Sequence, residues 1–375
     1  MRRRYRILHT EASLGWGGQE IRIFRELEWM KGQGHTVAVC APRQSQIFAR
    51  CQAAGIEAWH LNTKPLTGPW TVAKLTTRLL AWKADVVNTH SSRDGWIGGI
   101  AARLAGVRAV IRSRHIDTDY PAQLFWRNLG FSVLPHHLLT TSTRIADRLI
   151  HEVGAEPSRV TNLPTGIDTE MFHPGIQGTL HTELGLKPET PIIGMISVLR
   201  SWKGHPDFIG AARIVRDTCE KEGRVCHFII GGGGPGMETL SEMLRQQGME
   251  RHITMLGHRE DVPQLLASLA AVVLPSTAHE GVPQILLQAQ AMARPVIGTT
   301  VGGIPEIVKH ERTGLLVPPL NPAALAAAML RVLRDSDFAA QLGKNALPIV
   351  RQHHSVDGMG HFLENLYAKI LGDVV

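Results

Sequence analysis

The chain has no apolar run approaching the ~18 residues that a spanning helix needs, which excludes an integral membrane protein of the helical kind. Cysteine is scarce. Cys40, Cys51, Cys219 and Cys226 form no CxxC pair and show no zinc spacing, so reduced, structural thiols are expected. Aromatic residues make up only 5% of the chain and no nucleic-acid module is recognisable, so nucleic acid is not an expected partner. There is no short-period repeat and no low-complexity segment. The start, MRRRYRILHTEASLG, is basic, but its apolar stretch is too short and too polar for a signal peptide, and the expected location is cytoplasmic.

What is present is an ordinary globular composition. Of 375 residues, 43% are hydrophobic and 19% charged, enough for real cores and for two or three domains. The net charge of +7 is unevenly placed: residues 1–170 hold 22 Lys+Arg against 14 Asp+Glu, and the remainder is near neutral. A basic half suits an acidic partner or a solvated basic surface.

Short continuous apolar runs alternate with amphipathic stretches. Runs at 5–10, 36–42, 56–62, 84–90, 108–115 and 136–142 read as strands covered on both faces, and the stretch 19–32 reads as a helix ended by glycine. Around 160–190 the punctuation Leu-Pro-Thr-Gly, His-Pro-Gly and Lys-Pro-Glu-Thr-Pro predicts a linker. Strand runs then resume at 191–198, 226–232, 253–257, 270–276, 295–300 and 314–318, and 355–371 reads as an amphipathic helix. The expected architecture is α/β, with two doubly wound parallel-sheet domains facing a cleft. The expected domains are 1–170 and 171–375, with the last helix packing back toward the first.

In such sheets ligands bind at the carboxyl ends of the strands, so the loops that follow each strand matter most. Gly15-Trp16-Gly17-Gly18 precedes a helix and suits a diphosphate, or is a plain turn. Gly231–Gly236 matches G-x-G-x-x-G, but the next strand ends Met255-Leu256-Gly257 without the acid that a dinucleotide site wants. Arg200 and Lys203 follow the first strand of the second half and suit a diphosphate grip. Glu280 lies in a loop before a helix that contains Gln288. Gly302, Gly303 and Ile304 begin another short helix and read as an anion cradle.

The run from Glu280 to Val308, with Arg200 and Lys203 upstream, resembles the retaining glycosyltransferases of family 4, which pair two Rossmann-like domains in the GT-B arrangement. Gly17-Gly18-Gln19-Glu20, Gly232–Gly236, Pro164-Thr165-Gly166-Ile167-Asp168 and Gly314-Leu315-Leu316-Val317 extend the resemblance over nearly the whole chain. It implies donor contacts from Gly17, Gly18, Gly233, Gln288, Gly302, Gly303 and Ile304. It implies catalytic roles for Glu280, His115, Lys203 and Arg200. Glu280 matches the first glutamate of the family's Glu-x7-Glu element, which contacts the donor sugar. Gln288 stands at the second, which binds the ribose hydroxyls, and offers hydrogen bonds without charge. The family's phosphate-binding Arg position is Val198 here, and Arg200 stands in. Arg112-Ser113-Arg114-His115 is similar to the strand end whose His lies near the transferred sugar, with His90 as rival.

The implied reaction moves a sugar from a nucleoside-diphosphate sugar to a glycan or lipid-linked acceptor, in cell-surface polysaccharide or lipopolysaccharide synthesis. Fixed cations and N–H dipoles would stabilise the departing phosphate, without metal or other cofactor. A same-face mechanism, in which the leaving phosphate helps deprotonate the acceptor, and closure of the domains against water are the family expectation. Asp117-Thr118-Asp119 reads as a solvated loop rather than a metal clamp. Arg112, Arg114 and Arg127 are expected to meet an acidic acceptor. The stretch 70–83, with Trp70, Leu80, Trp82, Lys74 and Lys83, either lies on an anionic inner-membrane face or packs on its own sheet. The alternatives are an NAD-dependent oxidoreductase using Gly231–Gly236 and a noncatalytic sugar-nucleotide binder.

Overall fold

The computed structural model describes residues 3–63 and 68–373; Met1 and Arg2 of the basic start lie outside them. Seven strands form the first sheet: β1 Arg6–Thr10, β2 Thr36–Ala41, β3 Glu57–His60, β4 Val86–Thr89, β5 Ala109–Arg114, β6 His137–Thr140 and β7 Val160–Asn162. All pair in parallel in the order β3-β2-β1-β4-β5-β6-β7. The sequence predicts six of these. β7 falls in the stretch that reads as linker, because three residues before Pro164 leave no periodicity to detect.

Six strands form the second sheet: β8 Ile192–Ile196, β9 His227–Gly231, β10 Ile253–Gly257, β11 Ala271–Leu274, β12 Val296–Thr299 and β13 Leu315–Val317. Their parallel order, β10-β9-β8-β11-β12-β13, repeats that of the first six strands of the other sheet. Both are doubly wound, with the strand order reversing at β1/β4 and at β8/β11. The central strands are buried throughout, as continuous apolar runs covered by helices on both faces should be.

The chain forms two compact units. One holds the residues up to Gly166 together with those from Val356 onward; the other is Ile167–Ser355. The expected boundary was 170/171, with the last helix counted in the second domain. The helix Val356–Leu371 belongs to the first unit, where it packs on the helix Gly18–Gly32. Met359, Leu363, Leu366 and Tyr367 are buried there, worth about 1.5–3 kcal/mol each. Trp29 Nε1 donates to Asp357 Oδ1 at 2.8 Å. Gly360 lies flat on the Trp29 ring, where a Cβ would come within 2.1 Å of Cδ2.

The helix Gly68–Trp82 packs on its own sheet. Leu75 and Leu79 are buried, and Trp82 meets Trp59 edge-on at 5.1 Å. Only Trp70 and Leu80 among its large apolar residues are left exposed. Among the described residues no helix is long and apolar enough to cross a membrane. All four cysteines are free and buried.

Candidate active site

In the second unit the loops after β8 and β11 meet at the switch point. Lys203 Nζ lies 2.6 Å from Glu280 Oε1, and Ser276 Oγ donates to the same oxygen at 2.5 Å. Glu280 is buried, and the Lys203 side chain keeps some exposure. The two loops are pinned together. Thr277 N donates to Trp202 O at 2.7 Å, and the Trp202 ring meets His279 edge-on at 5.6 Å. His279 itself has φ 57°, an uncommon conformation for a non-glycine residue. Beside them His205, 3.2 Å from Ser197 Oγ, is pushed down to about 4 by burial, then by the Lys203 charge, and is neutral. Arg200 is exposed, with its guanidinium over Trp202 at 5.2 Å. Gln288 is buried in the helix Gln284–Ala291.

The glycines in this unit have a packing role. Gly302, at φ +56°, passes so close to the Glu280 backbone that a Cβ would lie 2.1 Å from its carbonyl oxygen. The Gly303 and Ile304 N–H groups already donate to the carbonyls of Gly281 and Val301. This segment braces the Glu280 loop, with two of its N–H groups already engaged. Gly232 and Gly234, at φ +134° and +147°, let the backbone pass Ser197 and Leu199. The carbonyl of Gly233 accepts from Leu199 N at 3.0 Å. The G-x-G-x-x-G spacing is thus explained by packing against the loop after β8.

In the first unit the Gly17–Gly18 loop is closed on itself. Gly17 N donates to Glu20 Oε2 at 2.9 Å, so an internal carboxylate occupies the N–H that a phosphate was expected to take. Glu11 is near, accepting from Gln19 and from the N–H groups of Ala12 and Ser13. Burial, with Asp94 and Glu20 adding to it, raises Glu11 to about 8.

At this unit's switch point, His9 on β1, His90 after β4 and His115 after β5 form a buried row. His90 Nδ1 lies 2.8 Å from His115 Nε2, and His90 Nε2 lies 2.8 Å from His9 Nδ1. Burial pushes His9 down to about 3 and holds the other two well below the usual imidazole range, so all three are neutral. His90 and His115, expected as rivals, are therefore direct partners. His9 was missed, although a His near the tip of the first strand is where such a fold places function.

The acceptor-side arginines do not present open charge. Arg112 is only 5% exposed, donates from NH1 to Gly130 O at 2.8 Å and lies 4.2 Å from the Phe131 ring centre. Burial lowers it to about 10. Arg114 donates from NH2 to Thr118 Oγ1 at 2.7 Å. The solvated reading of Asp117-Thr118-Asp119 needs correction at its first residue. Asp117 is buried in an ion pair with Arg144 and Arg148, while Asp119 is 97% exposed.

Residues 16–171 match the family described as Glycosyltransferase Family 4, and residues 190–335 match Glycosyl transferases group 1. An Escherichia coli UDP-Gal:alpha-D-GlcNAc-diphosphoundecaprenol alpha-1,3-galactosyltransferase is 30% identical over 68% of this chain and 67% of its own. The chain belongs to glycosyltransferase family 4. A D-inositol 3-phosphate glycosyltransferase of Corynebacterium glutamicum (strain R) is 30% identical over 92% of this family 4 chain and 86% of its own. Anabaena Alr3699/HepE, solved in complex with UDP and glucose, shares the fold with a TM-score of 0.85 at 20% identity, covering 97% of this chain and 100% of that one. The two units are the Rossmann-like pair of the GT-B fold. The protein is a glycosyltransferase that uses nucleotide sugars.

Proposed function

We propose that this glycosyltransferase transfers a hexose from a UDP-sugar, with retention, to a lipid-linked diphosphate acceptor in cell-surface glycan synthesis. The reading is carried by the Lys203–Glu280 pair, a partly exposed cation held on a buried carboxylate at a switch point. An incoming diphosphate competes with Glu280 for Lys203. Once the ammonium turns to phosphate, Glu280 is free to accept hydrogen bonds from donor-sugar hydroxyls, with Ser276 keeping it in place. Arg200, exposed on the same loop, adds a second cation. Preorganised positive charge at the leaving group is usually the largest catalytic term. A phosphate so held can take the acceptor's proton on the same face. Gln288 meets the ribose by hydrogen bonds alone.

The uridine and lipid-diphosphate assignments are supported by the UDP bound to the Anabaena protein and by the substrate that names the Escherichia coli relative. No metal is required in this scheme. The engagement of Asp117 by Arg144 and Arg148 supports that, since it leaves no Asp-x-Asp clamp.

The first unit receives the acceptor at an anionic bilayer surface, at the cytoplasmic face of the inner membrane. The helix Leu124–Asn128 and the single π-turn Leu129–Val133 leave Leu124, Phe125, Trp126 and Val133 exposed, and Leu124, Phe125, Leu129 and Val133 line an apolar hollow of about 320 Å³. No Asp or Glu occurs from 120 to 146, while Arg127, Arg103 beside His136, and Arg159 on Ser132 O supply positive charge. Apolar and aromatic side chains with such cations suit an anionic interface. Trp126→Ser with Phe125→Ser should abolish sedimentation with phosphatidylglycerol vesicles, and unchanged sedimentation sinks this surface.

The decisive experiment is a binding and turnover panel of UDP, GDP, ADP, NAD and the matching sugar nucleotides, run with and without EDTA. Stabilisation by UDP alone, and product with the donor's anomeric configuration made in EDTA, is the expected result. Stabilisation by NAD, inversion, or activity only with added metal overturns the corresponding part. Binding without turnover favours the noncatalytic reading.

A further inference from the structure

Three neighbouring strand tips each carry a histidine, and the rings meet edge to edge. Their centres are 4.9 and 5.1 Å apart with planes within 23° and 28°, and the nitrogens touch at 2.8 Å. All three rings are neutral, so each has one N–H and one lone pair. Two N···N contacts with one proton in each allow only two arrangements. In one, every ring carries its proton on Nδ1. In the other, every ring carries it on Nε2. The row therefore behaves as a single unit with two states.

What selects between them stands at the far end. Glu26 Oε2 lies 3.7 Å from His9 Nδ1, and Glu26 Oε1 accepts from Arg22 Nε at 2.6 Å. Arg22 is buried, also bonds to Leu163 O and Thr165 Oγ1, and cannot give up its charge. Burial raises the Glu26 carboxyl and the Arg22 guanidinium beside it works the other way; because that guanidinium would otherwise stand as a lone buried charge, the pair keeps Glu26 the negative end of the row. The Glu26 charge favours a proton on the His9 nitrogen that faces it. Placed there, that proton bonds to His90 Nε2, His90 donates from Nδ1 to His115 Nε2, and His115 keeps its own proton on Nδ1. In the opposite arrangement His90 donates to His9 Nδ1, which then stands unprotonated 3.7 Å from the carboxylate, and the His9 Nε2–H is left buried without an acceptor.

We propose that His9, His90 and Glu26 are positioning residues that lock His115 as a neutral Nδ1–H tautomer, a hydrogen-bond donor toward the reacting sugars. His115 then steadies a hydroxyl or a phosphate oxygen and does not take the acceptor's proton. A divalent cation at His9, Glu26 and His90 is the rival use of the same side chains. The fixed charge of Arg22 beside Glu26 opposes it.

This rests on the proposed role of His115 at the substrate, but its test does not require turnover. Long-range proton–nitrogen correlation spectra of the 15N-labelled full chain at neutral pH distinguish the two tautomers. The expected result is His9, His90 and His115 all protonated on Nδ1. Rings protonated on Nε2, or a ring in the row that carries both protons at neutral pH, overturn the proposal. His9→Asn keeps an amide donor toward His90 and should preserve the tautomers and kcat. His9→Phe removes the donor, should mix the tautomers, and should lower kcat about 10–100-fold with donor KM unchanged. Equal kcat in both folded variants overturns the positioning role. Stoichiometric uptake of added zinc by the wild-type chain assigns the cluster to a metal and also overturns it. Unchanged turnover in His115→Ala, with His9 and His90 still protonated on Nδ1, would sink the role of His115 at the substrate and leave the tautomer order of the row standing.

Discussion

The two sheets reverse strand order in the same way, yet their switch points hold opposite chemistry. At β8/β11 a Lys203–Glu280 ion pair stands partly open, braced by glycines that let Gly302 and Gly204 pass against the backbones of Glu280 and Pro275. At β1/β4 a row of neutral histidines is sealed in, and its charges, Glu26 and Arg22, lie at the far end. An accessible ion pair can exchange partners with a charged ligand. A buried neutral row cannot, and acts through the direction of its protons. One topology thus carries an exchangeable ion pair at one switch point and a neutral, hydrogen-bonded row at the other.

The most damaging test of this contrast is the ion pair. Glu280→Ala and Lys203→Ala should each lower kcat/KM by about 10²–10³-fold in initial-rate assays with the UDP-sugar. The double variant should lose much less than the product of the two, since each residue acts on the other. Full multiplicativity would show that the pair is not one unit.

Next in size is the backbone brace. Gly302→Ala should cost about 2–4 kcal/mol in urea unfolding and most of the activity, because a Cβ would meet Glu280 O at 2.1 Å with φ at +56°. Gly106→Ala, also at positive φ (+68°) but with open space around it, should cost about 1 kcal/mol. Equal losses would mean that conformation alone, and not contact with Glu280, makes glycine necessary at 302.

Acid should separate the units. Buried histidines that stay neutral in the fold gain protons in the unfolded chain below about 6.5, so stability is full above that pH and falls down to their folded values. Those values are about 3 for His9 and about 4 for His137, His205 and His354. Each contributes a loss of about 2 kcal/mol at pH 5. The first unit also holds His90 and His115; its Glu11, raised to about 8, works the other way and offsets about one of its four histidines, so its strands should exchange amide hydrogens sooner than those of the second unit at pH 5. Protection lost first in the second unit would reverse the comparison. The smallest effect is expected from Gln288→Glu, which adds a charge-assisted hydrogen bond to ribose and should lower donor KM about 3–10-fold.

Strand positions and the order of the two sheets were legible because buried parallel strands are written as unbroken apolar runs. Lys203 and Glu280 were legible too, as polar residues in loops directly after such runs. Three things were not. The glycines at 17, 232, 302 and 303 look alike in sequence whether an anion or a neighbouring backbone requires them, and only the position of Glu20, Ser197 and Glu280 decides. Arg112 sits in a strand that looks open to an acidic partner, but its acceptor, Gly130 O, arrives 18 residues later in an irregular turn. His9 carries no local pattern. Its meaning comes from β4 being inserted beside β1, a long-range fact that periodicity does not encode.

The helix Val356–Leu371 closes the first unit from the far end of the chain, with Gly360 pressed on Trp29 and Asp357 on the indole nitrogen. During synthesis, residues 3–166 therefore leave the ribosome with an uncovered apolar face. At about 5–20 residues per second, the wait while 167–355 are made is about 10–40 s. For that interval the unit 167–355 has all of its own strands and helices, while the first lacks one of its covering helices. Nascent chains stalled before Val356 should be the ones that chaperones hold.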